Sequence, residues 1–366
     1  MKETEKRIYF YKAGCGDAAR IKYLGNDGIY HNIFIDSGKR KTFMNHIASH
    51  IKEMESNGEN IDLWVISHIH DDHIGGVEQY IRQIKNGRST DIVKDWLYNS
   101  PRKNIKIVKE VSGRVSAAKS IRQGDLLAQY LHVKDALPKR DIVSKLESLD
   151  FYGLKLDILS PSSGKLKSLR NKYESDPELS LERQEGEKIS GAKSIIHDDY
   201  HIKLKDFDLS KWKEDTSIEN GSSISILTEY NDIRILWLAD SHPSDIVISL
   251  QRLGYSKSNK IACEWVKVSH HGSKGNNSDE LYNLIDCKNY LFSANGKNRH
   301  KLPTKESIAR ILRNKQRNIN VKYNLCFTDD NNILRSIFSE EHANIYKELN
   351  FKVEFLNDSS QYEYEY

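Results

Sequence analysis

The stretch Ile61-Asp62-Leu63-Trp64-Val65-Ile66-Ser67-His68-Ile69-His70-Asp71-Asp72-His73-Ile74-Gly75-Gly76 decides the reading of this chain. Its opening, Ile61 to Ile66, is almost continuously apolar, as expected of a strand buried on both faces. Four potential metal ligands follow within six residues: His68, His70, Asp72 and His73. Histidines two apart can grip one ion. Asp72 and His73, turned the other way in a tight loop closed by Gly75-Gly76, can grip a second. Imidazole and carboxylate donors in this mixture suit zinc first, with manganese or iron as alternatives. A chance cluster of surface histidines is the plainer explanation, and the buried strand before and the glycines after speak against it.

Upstream, Arg7 to Tyr11, Ala18 to Leu24 and His31 to Asp36 read as strands, separated by turns at Ala13–Asp17 and Gly25–Gly28. Thr42 to Met54 has helical spacing, with Phe43, Ile47, Ile51 and Met54 on one face, and Ser56-Asn57-Gly58 stops it. A second helix is expected beyond Gly76, with Val77, Tyr80, Ile81 and Ile84 inward. Residues 86–149 read as a mostly helical polar segment, and 162–218 as a charged insertion, partly disordered or weakly packed. Between them Leu154 to Leu159 alternates as a strand. Ser223–Tyr230 and Ile233–Leu238 form a hairpin around Asn231-Asp232. A helix from Ser244 to Leu253, strands at Trp265–Val268 and Tyr290–Ser293, a helix from Thr304 to Leu312 and a strand near Val321–Phe327 complete the pattern. The acidic tail, residues 358–366, is expected to fray. Strands mixed with helices in this way imply α/β layers, read as one domain over residues 1–366.

The chain's 366 residues can bury a substantial core, while 38% apolar and 30% charged residues fit a soluble protein with polar insertions. No apolar run approaches the roughly 20 residues a membrane span needs, and the charged Met1–Arg7 start has no signal-peptide character. The scattered Cys15, Cys263, Cys287 and Cys326 form no C-x-x-C pair and favour a reducing cytoplasm. A net charge of +4 permits nucleic acid as a partner without demanding it. Basic residues concentrate between Lys94 and Lys139, including Lys109, Arg114, Lys119 and Arg122. The plainest reading of that stretch is a solvated helical face.

Two further places carry chemistry. Asp240 follows a strand in Leu238-Ala239-Asp240-Ser241-His242, where a carboxylate can bridge two cations. His270 and His271 end the next strand in Val268-Ser269-His270-His271-Gly272-Ser273. Adjacent side chains at a strand end diverge, so one of this pair can bind metal while the other faces substrate. His46 and His50, four apart on an expected helix, read as surface or interface residues, and His132 as structural.

Together these segments resemble the metallo-β-lactamase superfamily, whose H-x-H-x-D-H motif is matched by His68, His70, Asp72 and His73. Asp36 matches its strand-end Asp, Asp240 its bridging Asp, and His270 or His271 its late His. The strings Gly14-Cys15-Gly16-Asp17, Ile35-Asp36-Ser37-Gly38, Asn220-Gly221-Ser222-Ser223, His270-His271-Gly272-Ser273 and Asn298-Arg299-His300 look most like the hydrolase of competence (ComEC-type) proteins. The resemblance implies a four-layer αββα sandwich with the charged insertion and two divalent ions. It also implies the ligands His68, His70, Asp72, His73, Asp240 and His270. Asp36 would orient the metal loop, and His271 or His300 would give the leaving group its proton. The superfamily's further His is replaced here by the Asn220 string, with His197, His201 and His242 as candidates for its role. Ala239 stands where Gly is common, a change tolerated wherever φ stays negative.

The implied chemistry is hydrolysis by water activated between two cations. The first expectation for the substrate is a phosphodiester in nucleic acid. The second is a small phosphodiester, nucleotide or ester. The third is a partner-binding component of a multi-protein, defence-type system in which hydrolysis is conditional. No membrane association is expected.

Overall fold

The computed structural model describes residues 6–107, 117–145, 147–174, 197–298, 300–356, 359 and 361–366, without the side chains of 117–119. Lys109, Arg114 and the Lys119 side chain of the basic stretch, 175–196 of the charged insertion, Arg299, and 358 and 360 of the tail lie outside this description. The chain divides into two compact units: residues 1–142, 163–194 and 360–366, and residues 143–162 and 195–359. Each is built on one sheet with helices, so the class is mixed α/β.

The first unit has strands β1 (Lys6–Tyr11), β2 (Ala18–Leu24), β3 (Tyr30–Asp36), β4 (Ile61–Val65) and β5 (Val93–Leu97). They lie in sequence order, and the C-terminal strand Gln361–Glu365 pairs with the outer edge of β1. The β1–β2–β3 meander is antiparallel, whereas β3, β4 and β5 run parallel. All five residues of β4 are buried, which accounts for its unbroken apolar run. Trp64 stacks on Trp96 in the neighbouring strand at 5.3 Å and 9°, a pair worth about 0.5–1.5 kcal/mol beyond its buried area. The expected face Phe43, Ile47, Ile51 and Met54 is buried on a helical run over residues 40–56 that includes one π-helical turn. Val77, Tyr80 and Ile81 join the same core from helix Asp71–Lys85, with Ile84 at its margin.

Three sequence expectations change here. The glycines Gly75 and Gly76 do not close a loop, because the helix already begins at Asp71 and contains them. The segment 86–149 holds strand β5 as well as helix Ala117–Val133. The tail is not frayed over Gln361–Glu365. It pairs antiparallel with β1, Ile8 facing Tyr364, and Arg7 bonds to Glu363 and Glu365. Its Tyr–Glu alternation is a strand's period of two.

In the second unit, β6 (Leu149–Phe151), β7 (Leu154–Ser160), β8 (Ser225–Tyr230) and β9 (Ile233–Trp237) form an antiparallel meander. From β9 the sheet continues in parallel through β10 (Ile261–Lys267), β11 (Ile285–Phe292), β12 (Tyr323–Phe327) and β13 (Phe351–Phe355). The β8–β9 turn places Asn231 at φ 49° and Asp232 at φ 62°, the double left-handed turn expected of a tight hairpin. The later part of the charged insertion is not weakly packed: Tyr200, Leu204 and Phe207 enter the core. Arg310, itself buried, donates to the carbonyls of Leu209 and Lys211. All four cysteines are buried thiols. Among the described residues, no helix is long and apolar enough to cross a membrane.

Candidate metal centre

In both units the chemically interesting residues stand at the C-terminal ends of parallel strands, where α/β sheets leave room for ligands. Asp36 ends β3, Ser67 and His68 follow β4, Asp240 follows β9, and His270 and His271 follow β10. Four residues at three of these strand ends are strained. Asp36, Ala239, His270 and His271 have φ of 53°, 45°, 47° and 52°, a left-handed region that non-glycine residues rarely enter. Such outliers gather where a site over-determines the backbone. Ala239 thus departs from the expectation of a negative φ. Its carbonyl is held at 2.7 Å by the His270 N–H, which pins the β9 and β10 ends together.

The first unit supplies the histidine loop. Asp36 is fully buried, and its carboxylate accepts three hydrogen bonds at 2.8 Å, from Ser67 N, Ser67 Oγ and His73 Nδ1. Its own carbonyl accepts from the Trp64 indole at 3.1 Å, so a fully buried core ring also fixes this strand end. With Nδ1 donating to Asp36, His73 presents Nε2 as its lone-pair nitrogen. Ser67 Oγ, already donating to Asp36, stands 3.1 Å from His68 Nδ1 and accepts its proton, which leaves Nε2 of His68 as the lone-pair nitrogen too. That atom lies 3.0 Å from His70 Nδ1. Two nitrogens on one tetrahedral zinc at about 2.0–2.1 Å stand about 3.3 Å apart, so this spacing fits a shared ion. Asp72 is half-buried in the first turn of helix Asp71–Lys85, where the helix dipole favours its negative charge.

The glycines act through close approach. A Cβ on Gly16 would meet the Asp72 carbonyl oxygen at 2.5 Å, and one on Gly76 would meet the Ser37 carbonyl oxygen at 2.5 Å. The Gly14–Asp17 turn and the Asp36-Ser37-Gly38 turn can therefore lie directly on the metal loop. Asp17 N donates to Asp72 O at 3.1 Å, while Ser37 N and Oγ donate to His73 O at 2.8 and 2.7 Å. Asp17, Asp36 and His73 have ligand-type atoms within 4.8 Å of one another. Because Asp36 is committed to three donors, we read that trio as hydrogen-bonded support and not as an ion site.

The second unit supplies a carboxylate between two imidazoles. Asp240 is buried, with Oδ2 3.6 Å from His270 Nε2 and Oδ1 3.7 Å from His271 Nε2. His271 Nδ1 donates to the Ser293 carbonyl at 2.9 Å, so Nε2 carries its lone pair. Within this unit both histidines therefore face Asp240. His300 stands instead on an exposed turn that Asn298 closes through Leu302.

Sequence reasoning missed several supporting groups. Asp215, in the charged insertion, accepts from Asn220 Nδ2 at 2.6 Å, Ser217 N at 3.0 Å and Asn276 Nδ2 at 3.1 Å. Burial raises its pKa, but those hydrogen bonds and His270 outweigh burial and hold it below the ordinary carboxylate range. A polar residue in a polar stretch carries no sequence signal of this kind, and only the Asp-x-Ser turn hinted at order. Gln123, on helix Ala117–Val133, donates to Asp71 at 2.9 Å and to Glu78 at 2.8 Å. Of the candidates for the missing histidine, His242 joins the Asp215 group, its Nε2 4.0 Å from Asp215 Oδ2 and its ring packed over Gly221. His197 stacks on Tyr200 at 3.9 Å and bonds to Gly296 O, a core role, and His201 is exposed. His50 is half-buried and bonds to Tyr11 OH, a structural place in contrast to the surface or interface one expected, and His132 is exposed where a structural role was expected.

Residues 31–90, which span β3, β4 and the histidine loop, match the family model described as Metallo-beta-lactamase superfamily. The comparison with curated proteins gives no match. Among solved structures the chain is similar to CmlA, a diiron beta-hydroxylase from Streptomyces venezuelae, at 11% identity and a TM-score of 0.40. The alignment covers 99% of this chain and 54% of that one, so this chain spans about half the length of that protein. A long form RNase Z from yeast is similar at 10% identity and a TM-score of 0.34, over 79% of this chain and 36% of the other.

Proposed function

We propose that the chain is a metal-dependent hydrolase that uses two divalent ions. The ligand set that the superfamily motif implies is His68, His70, Asp72, His73, Asp240 and His270. The observation that carries this reading is Asp240, whose two oxygens each face the lone-pair nitrogen of a different histidine. A carboxylate so placed suits a bridging role, and His271 becomes a candidate ligand as well as a substrate-facing group. The nitrogen and oxygen donors fit zinc first, with manganese or iron as alternatives. When bound, such ions supply Lewis acidity and water of lowered pKa.

The chain's own residues do the rest. Asp36 and Ser67 hold His68 and His73 with Nε2 outward, and Ser293 does the same for His271. His271 or the exposed His300 is the group to protonate a leaving oxygen, since imidazole titrates in the useful range. The substrate we propose is a phosphodiester in nucleic acid, supported by the ComEC-type strings and the basic residues between Lys94 and Lys139. The test is a screen of the zinc- or manganese-loaded chain against single-stranded DNA, RNA, cyclic dinucleotides and a generic phosphodiester. Cleavage of a nucleic acid supports the proposal. Turnover of a small ester alone moves the substrate to the small-molecule class. No turnover, together with co-purification of another protein, favours a partner-dependent component.

A further inference from the structure

His271 and His270 are neighbours in sequence, yet they are held in different ways. His271 donates to a backbone carbonyl, that of Ser293, which is fixed by the sheet. His270 Nδ1 instead faces a side chain, the Oδ1 of Asn276, at 2.8 Å. Asn276 is completely buried. Its amide nitrogen lies 3.1 Å from Asp215 Oδ2, 3.1 Å from Asp240 O and 3.2 Å from Ser241 O. All three partners are acceptors that cannot donate, so the NH2 group must face them and Oδ1 must face the imidazole. An acceptor at Nδ1 keeps the proton there, and the lone pair therefore sits on Nε2, the nitrogen that points at Asp240. The neighbouring Asn277 has a separate task. It ties its own loop together through Ser269 O and Ser273 O.

From this geometry we infer that Asn276 is a positioning residue for His270, and that Asp215 sets the orientation of Asn276. Asp215 also holds Asn220, whose amide nitrogen is 3.4 Å from His270 Nδ1. Asp215 thus fastens two amides beside the imidazole, of which only Asn276 offers Nδ1 an acceptor. The arrangement favours one imidazole tautomer, with Asp215 Oδ2 itself 3.7 Å from Nδ1. It also explains why the 272–277 turn packs against Asp215, whose N–H donates to Gly275 O at 2.9 Å.

This inference rests on the reading of His270 as a metal ligand, and its test separates the two claims. Long-range proton–nitrogen NMR of the metal-free full chain, above the imidazole titration, reads the tautomer directly. Zinc affinity is measured in parallel by competition with a chromophoric chelator. The native chain should show His270 protonated on Nδ1. Asn276→Ala should bring in the Nε2-protonated form and weaken zinc binding about 10–100-fold, the usual cost of losing such a partner. Asn276→Asp sets oxygen against Asp215 and the two carbonyls and should weaken binding similarly. Adding Asp215→Asn restores a donor opposite that carboxylate and should recover part of the loss. Asp215→Asn alone is the milder variant should Asn276→Ala not fold, and it too should populate the Nε2-protonated form. An unchanged tautomer in Asn276→Ala, or in Asp215→Asn if only that variant folds, overturns the inference. A changed tautomer with unchanged zinc affinity sustains the positioning role and removes His270 from the ligand set.

Discussion

Replacing Asp36 with Asn probes the histidine loop at its anchor. The change keeps size and shape, and Asn tolerates the left-handed φ of 53° found there. What it alters is hydrogen-bond sense. Oδ1 accepts from the Ser67 N–H, which cannot reverse. An amide NH2 at that place would leave a buried donor facing a donor, at about 1–3 kcal/mol. The NH2 therefore takes the place of Oδ2, opposite Ser67 Oγ and His73 Nδ1. The hydroxyl can turn to accept. His73 can accept only by moving its proton to Nε2, the nitrogen meant for metal. We expect Asp36→Asn to fold, to lose about 1–3 kcal/mol of stability, and to bind zinc about 10–100-fold more weakly. Urea denaturation of the metal-free chain and chelator competition measure the two effects. A variant that keeps both its zinc affinity and the Nδ1-protonated His73 would refute the claim that Asp36 orients the loop.

Other consequences follow from single contacts. Gly76→Ala improves helix propensity by about 1 kcal/mol, but the new Cβ meets Ser37 O at 2.5 Å. Overpacking of about 1–3 kcal/mol should win, so the urea midpoint falls. Ala239→Gly should add up to about 1 kcal/mol of stability and so raise that midpoint, since the left-handed strain it removes exceeds the extra chain entropy of Gly. A lowered midpoint would mean that the Ala methyl packs usefully. Asp215 has a depressed pKa in the folded chain, so its contribution is present above the unfolded carboxylate value and is lost as pH falls through the folded one. Below about pH 4 the native chain should therefore lose more stability than Asp215→Asn. Parallel acid titrations of the two would count against this. Asp72→Ala and His73→Ala should each abolish turnover and lose at least one ion, as read by elemental analysis.

Much of the fold was legible because its key signals are local. The apolar run Ile61–Ile66 announced a strand buried on both faces, the Phe43–Met54 spacing announced a helix face, and Asn231-Asp232 announced a hairpin. What escaped was set by tertiary partners. Strand β5 pairs only through its half-polar edge with β4, and Lys94 and Asp95 disguise it as polar helix. The C-terminal strand is a strand only because β1 offers it an edge. In the site, histidines and carboxylates advertised themselves by residue type. Asp215, Gln123 and Asn276 did not, since their importance lies in which acceptor or donor they face. The Gly75-Gly76 pair was read as a loop ending, but its reason is the contact with the β3 turn.

The central claim is that this chain holds two divalent ions. Purification without added chelator, followed by elemental analysis before and after zinc reconstitution, tests it most directly. About two ions per chain are expected in the native protein, and at least one fewer in Asp72→Ala and in His73→Ala. A native chain that takes up none, or variants that keep the full complement, would contradict it.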